Sequence, residues 1–301
     1  MSELAGVGRA GRAAVSWWVA PVPLARVAVL RAAIYLFVIW DVLYVTNDVI
    51  GHGYAPALFQ PTLFARLLPF PEPSVPVAQA LLVVIVAGCL VATTGRLPRL
   101  SGGVVAVAFT AWMMNSQGFS YVSHDHMALM VAVLVLPTVG RARFTDSGSS
   151  QAAGWAVRVI ALSVVITYFG SAFNKWVRAG SPWAWANGSV FAWAILRRGS
   201  DWVRWSVEYP WLLVIGQWAL LAAEFLSPVV LWLRGRWLLA AVTFFLLFHL
   251  TTFLALGIHF LPTVVCWLAF APLERLLPWA ARRAPALGRR LREREPATAS
   301  S

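Results

Sequence analysis

The sequence predicts an all-α membrane protein, a polytopic bundle of about eight transmembrane helices. Of its 301 residues, 60% are hydrophobic and only 12% are charged, whereas soluble globular domains carry about a quarter charged residues. The apolar residues form long blocks rather than the stripes of amphipathic helices. Because crossing a bilayer takes roughly 20 apolar residues, these blocks indicate membrane spans.

The boundaries of the predicted spans follow from the charges, prolines and glycines that interrupt the apolar blocks. The third and fourth spans are short, and the seventh and eighth meet at Gly257. We expect an interfacial lead-in at 1–23, a membrane domain at 24–275 and a basic cytoplasmic tail at 276–301. The predicted spans are 24–46, 75–94, 101–117, 125–140, 152–176, 210–233, 236–256 and 257–274.

The arginines between the blocks predict the orientation. With eight spans, the basic turns at 96–99, 141–143 and 234–236 fall on the same side as both termini. Because positive charge accumulates on the cytoplasmic side, we expect a multi-pass protein of the cell membrane with both termini in the cytoplasm. The net charge of +12 then reflects topology and contacts with the lipid bilayer, so nucleic acid is not an expected partner.

The segment 177–209 is an exception, because it carries arginines on the predicted outer side. Tryptophan combined with arginine is typical of a segment that lies in the headgroup layer. We therefore expect this Trp/Arg-rich segment to lie in the outer interface. Its tryptophans are Trp183, Trp185, Trp193, Trp202 and Trp205.

Lys175 is the single lysine of the chain; every other member of the 24 Lys and Arg residues is arginine. Tyr168 and Ser171 precede it at a spacing that places all three side chains on one helix face. A lysine partly removed from water can act as a base, whereas arginine cannot. The sequence predicts Lys175 as such a base beside a ligand contacted by Tyr168 and Ser171. A lysine that merely extends to the interface is the alternative.

Two further polar residues lie at a similar predicted depth. His249 is about 10 Å from the outer end of its span, where a polar side chain is a candidate for function; a packed histidine bonded to a carbonyl is the alternative. Asp41 lies about 7 Å below the same surface and is expected to share a helix face with Tyr44 and Asp48. A carboxylate at this depth needs a cationic partner, and Lys175 and His249 are at compatible depth.

Two features leave alternatives open. In His124-Asp125-His126, the imidazoles diverge by roughly 200° on a helix, so no metal site is expected there. One histidine facing an outer cavity, with His126 as the candidate, and a solvated helix start both fit. Glu224 is predicted about 20 Å from the outer end of its span, which makes direct pairing with Lys175 doubtful. A buried glutamate at this depth indicates either a hydrogen bond between helices or a step in a proton relay.

Three short stretches carry a resemblance. Residues 168–176 read Tyr-Phe-Gly-Ser-Ala-Phe-Asn-Lys-Trp, residues 126–129 read His-Met-Ala-Leu, and Phe-His at 248–249 is followed by Gly-Ile at 257–258. They resemble the Y-F-x-x-G-x-x-K-L, N-H-x-Y-L and F-H-x-x-N…I-G segments of the vitamin K-dependent γ-carboxylase family. Bacterial members carry this part as the horizontally transferred transmembrane (HTTM) domain.

The resemblance implies that Lys175 takes a proton from a reduced, menaquinone-like quinone and that His126 lies beside the quinone site. It also implies a site on the non-cytoplasmic face. The chain departs from the family at Ser171-Ala172, Asp125 and Thr252, and only a tail follows residue 275 where the carboxylase has a large soluble domain. Peptide carboxylation by this chain alone is therefore not expected.

The sequence thus favours a quinol-handling membrane enzyme of an oxygenation or epoxidation type. Lys175, His126 and His249 are its predicted catalytic residues, and Tyr168, Asp41 and Ser171 are predicted to bind the ligand. A non-catalytic membrane module that binds lipid, quinone or a separate protein partner is the alternative. A transporter is less favoured, since no inverted repeat is evident.

Overall fold

The computed structural model of the protein describes Gly8, Gly11 and residues 15–68, 71–119 and 124–276. Most of the predicted tail and much of the predicted lead-in lie outside these residues. Within them, regular structure is helical apart from one antiparallel pair of short strands, β1 (Val22–Pro23) and β2 (Ser149–Ser150). The predicted all-α class is confirmed.

The helices follow the apolar blocks, and proline often occupies their first turn, where its missing N–H costs nothing. Short 3-10 or π turns extend several of them. The α-helices are α1 Leu24–Trp40, α2 Asp48–His52, α3 Leu63–Leu67, α4 Val75–Thr93, α5 Pro98–Gln117, α6 Met127–Val135, α7 Gln151–Ala179, α8 Pro182–Trp185, α9 Ser189–Arg198, α10 Asp201–Arg204, α11 Pro210–Leu226, α12 Gly235–Leu256 and α13 Leu261–Cys266.

Each predicted span corresponds to a helical stretch, and five of these within the described residues are long and apolar enough to cross a membrane. In α12 only 11% of the most apolar window is buried inside the protein. An apolar surface this exposed is stable against lipid rather than water, so these helices support a multi-pass membrane protein. The five are Leu24–Val45, Val75–Thr93, Gln151–Ala179, Pro210–Leu231 and Gly235–Leu256; His124–Val139 and Leu261–Phe270 are apolar but shorter.

The chain forms two compact units. The first comprises Met1–Ser123, Leu129–Ile160 and Leu268–Ser301, and the second comprises His124–Ala128 and Ala161–Trp267. Helix α7 therefore contributes its N-terminal part to the first unit and its C-terminal part to the second. Both units fall within the predicted membrane domain and its flanks.

A buried arginine organises the first unit. Arg31 is only 2% exposed, and its guanidinium donates hydrogen bonds to the carbonyl oxygens of Gly140 at 2.9 Å and Ala142 at 2.6 Å. These carbonyls follow the end of a helical stretch, where no helical N–H is available to them. Gly95 has a φ of +73°, and a Cβ there would come within 3.0 Å of the guanidinium. Arg31 thus fixes the turns around it.

The polar face predicted for the first span is not formed. Residues 41–45 adopt a π-helical turn, which breaks the 3.6-residue periodicity on which that prediction relied. Asp41 is fully buried and Tyr44 is 70% exposed, so the two do not share a surface. The Asp41 carboxylate accepts a hydrogen bond from Thr46 at 3.2 Å, and the Thr46 hydroxyl accepts one from Trp112 at 2.8 Å.

Within the first unit, an ion pair joins the start of α1 to the segment that follows α13. The Arg26 guanidinium donates to both carboxylate oxygens of Glu274, at 2.7 and 2.8 Å, and each side chain is 22% exposed. This bidentate contact lowers the pKa of Glu274 below its ordinary value. Because the folded-state pKa is the lower one, the pair stabilises the fold above the unfolded value of about 4.3, and this stabilisation is lost as the pH falls through the folded-state pKa.

We therefore expect Glu274→Gln to lower the free energy of unfolding by about 1 kcal/mol at pH 7. The difference from the unsubstituted protein should shrink as the pH falls below the unfolded pKa of about 4.3 and through the lower folded-state pKa, because protonation of Glu274 removes the charged pair. Intrinsic tryptophan fluorescence during heating in detergent measures it. Asp201→Asn is the control, since Asp201 is fully exposed and 3.8 Å from its partner. An undiminished difference at pH 3 would contradict the assignment.

Candidate functional site

A cavity of about 950 Å³ lies within the second unit. Its wall is formed mainly by α7, α9, α11 and α12. Residues of α8, of α10 and the turn after it, of the turn before α6 and of the start of α13 complete it. Most of this wall is apolar or aromatic. Its polar side chains include one cluster around Lys175 and another around His249.

The face predicted for α7 is confirmed. Tyr168, Ser171 and Lys175 all line the cavity, as expected for side chains spaced three and four residues apart on one helix. Tyr168 is 5% exposed, and the Lys175 side chain is 22% exposed. The lone lysine thus lies in a partly buried wall rather than extending freely into the interface.

The carboxylate that pairs with Lys175 is Glu224. Lysine Nζ donates to Glu224 Oε2 at 2.5 Å, and the hydroxyl of Ser171 donates to Oε1 at 3.4 Å. The Glu224 side chain is only 8% exposed. The prediction that these two residues are too far apart to pair directly is therefore wrong.

The prediction assumed that the C-terminal end of α7 and the start of α11 lie at the same depth. The Ser227 hydroxyl donates to the Val165 carbonyl at 3.2 Å, and Ala172 packs in a cluster with Leu221. Residue numbers thus rise along α7 as they fall along α11, and the start of α11 extends beyond the end of α7. Helical side chains lean towards their own N-terminus, so on antiparallel helices the lysine and the glutamate lean towards each other.

An aromatic ring covers the other side of the lysine. Lys175 Nζ lies 4.8 Å from the centre of the Trp185 ring, within the range of a cation–π contact. Gln217, which is fully buried, fixes this arrangement: its Nε2 donates to the Trp185 carbonyl at 2.7 Å, and its Oε1 accepts from the Phe191 amide at 3.4 Å. The sequence pattern places Trp185 among the interfacial tryptophans and carries no signal for this contact.

The Trp/Arg-rich segment presents two different faces. In α9, Phe191 and Ile195 line the cavity, whereas Trp193 and Leu196 are 60% and 69% exposed. Ser200 then fixes the chain to α12, with its amide donating to the Ala255 carbonyl at 2.9 Å. The segment is therefore a wall of the cavity as well as an exposed aromatic surface.

The second polar cluster joins three side chains. The Tyr168 hydroxyl is hydrogen-bonded to His249 Nε2 and accepts a hydrogen bond from Trp267 Nε1 at 3.0 Å. His249 is 7% exposed and lines the cavity. Helix α12 ends at Leu256, and Gly257 caps it with a φ of +65°, so the predicted distance of His249 from the helix end is confirmed.

The histidine pair before α6 is arranged differently from the expectation. Residues 124–126 form a 3-10 turn, and His124 and Asp125 line the cavity. His126 is 3% exposed, and its Nδ1 lies 3.2 Å from Asp125 Oδ1. Three residues per turn send the two imidazoles to different sides, so the structure places His124 in the cavity wall in the position expected for His126.

Four of the predicted site residues therefore meet at one cavity: Lys175, Tyr168, Ser171 and His249. Asp41 belongs to the first unit, and His126 is buried in the turn before α6 and does not line the cavity. No group of three or more His, Cys, Asp or Glu side chains in the described part of the chain is arranged to hold a metal ion. No family model, curated protein or solved structure matches the chain.

Proposed function

We propose that this protein is a multi-pass membrane protein that binds a reduced, quinone-like molecule in the cavity of its second unit, with Lys175 as the base that acts on a hydroxyl group. The supporting observation is the contact of Lys175 with Glu224 and Ser171 in a largely apolar wall. The proposal includes eight spans, both termini in the cytoplasm and a cavity on the opposite side.

The cavity suits an amphipathic ligand. Its volume of about 950 Å³ is near the upper end of the range of about 300–1,000 Å³ for small-molecule sites. Tyr168 and Lys175 are separated by about 10 Å along α7, so the two polar clusters are far enough apart to contact different oxygens of one ring system. The aromatic and aliphatic wall suits the ring faces and a hydrocarbon tail.

The Lys175–Glu224 pair provides a way to hold a proton. Burial weakens the preference for an ion pair over a neutral amine beside a protonated carboxyl group, because both charges lose hydration. In the neutral form, Nζ can accept a proton from a ligand hydroxyl, and the ammonium that results stays beside the ligand oxyanion. A reduced quinone supplies the hydroxyl and the reducing equivalents for dioxygen, and Ser171 keeps the Glu224 carboxyl oriented.

A second function is favoured by a specific contact. Glu224 and the Trp185 ring flank Lys175 on two sides, and both stabilise a permanent ammonium. With that charge retained, the cavity is a binding site for lipid or quinone without chemistry, in a module that acts through a separate protein partner. Exchange of Lys175 for arginine distinguishes the two functions, because arginine retains the charge but does not release its proton.

Binding in the cavity is tested with a residue that fills it. Ala223 lines the cavity, whereas its neighbour Ala222 is exposed and does not line it. We expect Ala223→Phe to weaken binding of reduced menaquinone-4 about tenfold or more, because the added ring occupies ligand volume. Ala222→Phe on the same helix should leave binding unchanged. Anaerobic titration of the protein in lipid nanodiscs, read by quenching of tryptophan fluorescence, provides the measurement.

Equal binding by both variants and the unsubstituted protein would place the ligand elsewhere. Absence of binding by the unsubstituted protein would reject the quinone class. Mass spectrometry of lipids that copurify with the protein is an independent check, since Ala223→Phe should lose the bound molecule that Ala222→Phe retains.

A further inference from the structure

The second polar cluster has a fixed order of donors and acceptors. Trp267 Nε1 can only donate, so the Tyr168 oxygen accepts from it at 3.0 Å. The other side-chain contact of the Tyr168 hydroxyl is with His249 Nε2. The hydroxyl has a single proton, and this contact decides where that proton points.

Counting protons selects one form of the histidine. If Nε2 carried a proton, it would point at a tyrosine oxygen that already accepts from Trp267, and the hydroxyl proton of Tyr168 would lack its acceptor. If Nε2 is bare, the hydroxyl donates to it and every group in the chain Trp267–Tyr168–His249 is satisfied. The proton of a neutral imidazole then resides on Nδ1.

The Nδ1 atom of His249 is buried and has no hydrogen-bond partner within the described residues. The ring belongs to the cavity wall, and its aromatic neighbours include Phe248 at 5.0 Å and Phe260 at 5.2 Å between ring centres. Phenylalanine rings carry no polar acceptor atom. A buried N–H is nearly always paired, which points to a partner beyond the described residues, in the cavity that the ring lines.

We infer that Tyr168 holds His249 in the Nδ1–H tautomer, and that this N–H donates a hydrogen bond to the oxygen of a hydroxyl or carbonyl group on a molecule bound in the cavity. This inference rests on the proposed cavity-binding function and adds the orientation of the ligand between the two polar clusters. The Lys175 cluster accepts the proton of one ligand hydroxyl, and the His249 cluster donates to a second ligand oxygen. A cationic amphiphile or a plain hydrocarbon lacks that oxygen.

The tautomer is measured without any ligand. In protein labelled with ¹⁵N-histidine in nanodiscs, the His249 signals, assigned by their loss in His249→Gln, should show a protonated Nδ1 and a bare Nε2. Tyr168→Phe removes the donor to Nε2 and should shift the population towards the Nε2–H form. A predominantly Nε2-protonated His249 in the unsubstituted protein, or no response to Tyr168→Phe, would overturn the inference.

Two probes of similar shape test the donor. 2,3-Dimethyl-1,4-naphthoquinone carries two carbonyl oxygens, and 2,3-dimethylnaphthalene carries none. The quinone should move the Nδ1 resonance of His249 and the hydrocarbon should not. His249→Phe should weaken quinone binding about tenfold while changing hydrocarbon binding less than about twofold.

The outcomes separate the two proposals. If both probes bind with equal affinity and neither perturbs Nδ1, the cavity-binding proposal stands and the donor role of His249 is wrong. If neither probe binds while the Nδ1–H tautomer is observed, the proposed cavity function fails together with the donor role, and the Tyr168–His249 contact is structural only.

Discussion

Replacing Glu224 with leucine should lower the free energy of unfolding by about 2–3 kcal/mol. The Glu224 side chain is 8% exposed and that of Lys175 is 22% exposed, so the leucine variant leaves a partly buried ammonium without its counter-charge. Breaking a fully buried pair in this way costs about 3–5 kcal/mol, and the partial exposure of the lysine reduces that figure. The Ser171 hydroxyl also loses its acceptor.

The double variant makes this prediction specific. Adding Lys175→Met to Glu224→Leu removes the unpaired charge, and we expect most of the lost stability to return, because two apolar side chains replace a pair that was costly to desolvate. Unfolding by detergent titration, followed by tryptophan fluorescence, gives the free energy of unfolding of the unsubstituted protein, the two single variants and the double variant. Glu208→Leu, at an exposed position before α11, is the control. An additive result in the double variant would show that the two residues do not act as a pair.

The fold class followed from the sequence because it depends on composition and on the lengths of apolar blocks. The end of α12 before Gly257 was predictable for the same local reason, since glycine adopts the left-handed conformation that ends a helix. The shared face of Tyr168, Ser171 and Lys175 was equally local, because it follows from helical periodicity alone. Each of these features is decided within one stretch of chain.

The features that sequence reasoning missed depend on how separate stretches align. The Lys175–Glu224 pair requires that α11 extend beyond the end of α7, and no residue within either helix encodes that offset. The contact of Trp185 with Lys175 depends on Gln217, 32 residues along the chain. The separation of Asp41 from Tyr44 arose from a π-helical turn, and the sequence pattern of that region fits a regular helix equally well.

The direction in which helical side chains lean was a usable signal. On antiparallel neighbours, a lysine near the C-terminal end of one helix and a glutamate near the C-terminal end of the next both lean back along their own helices. The two side chains then extend towards each other. A pair whose Cα atoms are offset by about six residues, or roughly 9 Å along the helix axes, can therefore still be in contact. Including this lean would have accounted for part of the distance that made the pair doubtful, and the offset between α11 and α7 accounts for the rest.

Lys175→Arg should lower the turnover of a reduced quinone by about 10²–10⁴-fold, the usual contribution of a general base. Arginine retains the charge and can bind Glu224 with two parallel hydrogen bonds, so the fold and the ion pair should persist. It does not release its proton in proteins, so the proposed proton acceptance by the side chain is lost. Dioxygen consumption with reduced menaquinone-4 in nanodiscs measures turnover, and fluorescence titration measures binding of the same molecule.

The matched control is Arg178→Lys, which exchanges the same two residue types three positions later on α7. Arg178 is exposed and donates to Asn174 at 2.9 Å, and it does not line the cavity, so turnover should not change. Binding of the quinone to Lys175→Arg should remain within about threefold, because the positive charge beside the ligand is conserved. Full turnover by Lys175→Arg would show that the charge of residue 175 is sufficient. Lys175 would then be a binding residue, and the non-catalytic membrane module would be the better description of the protein.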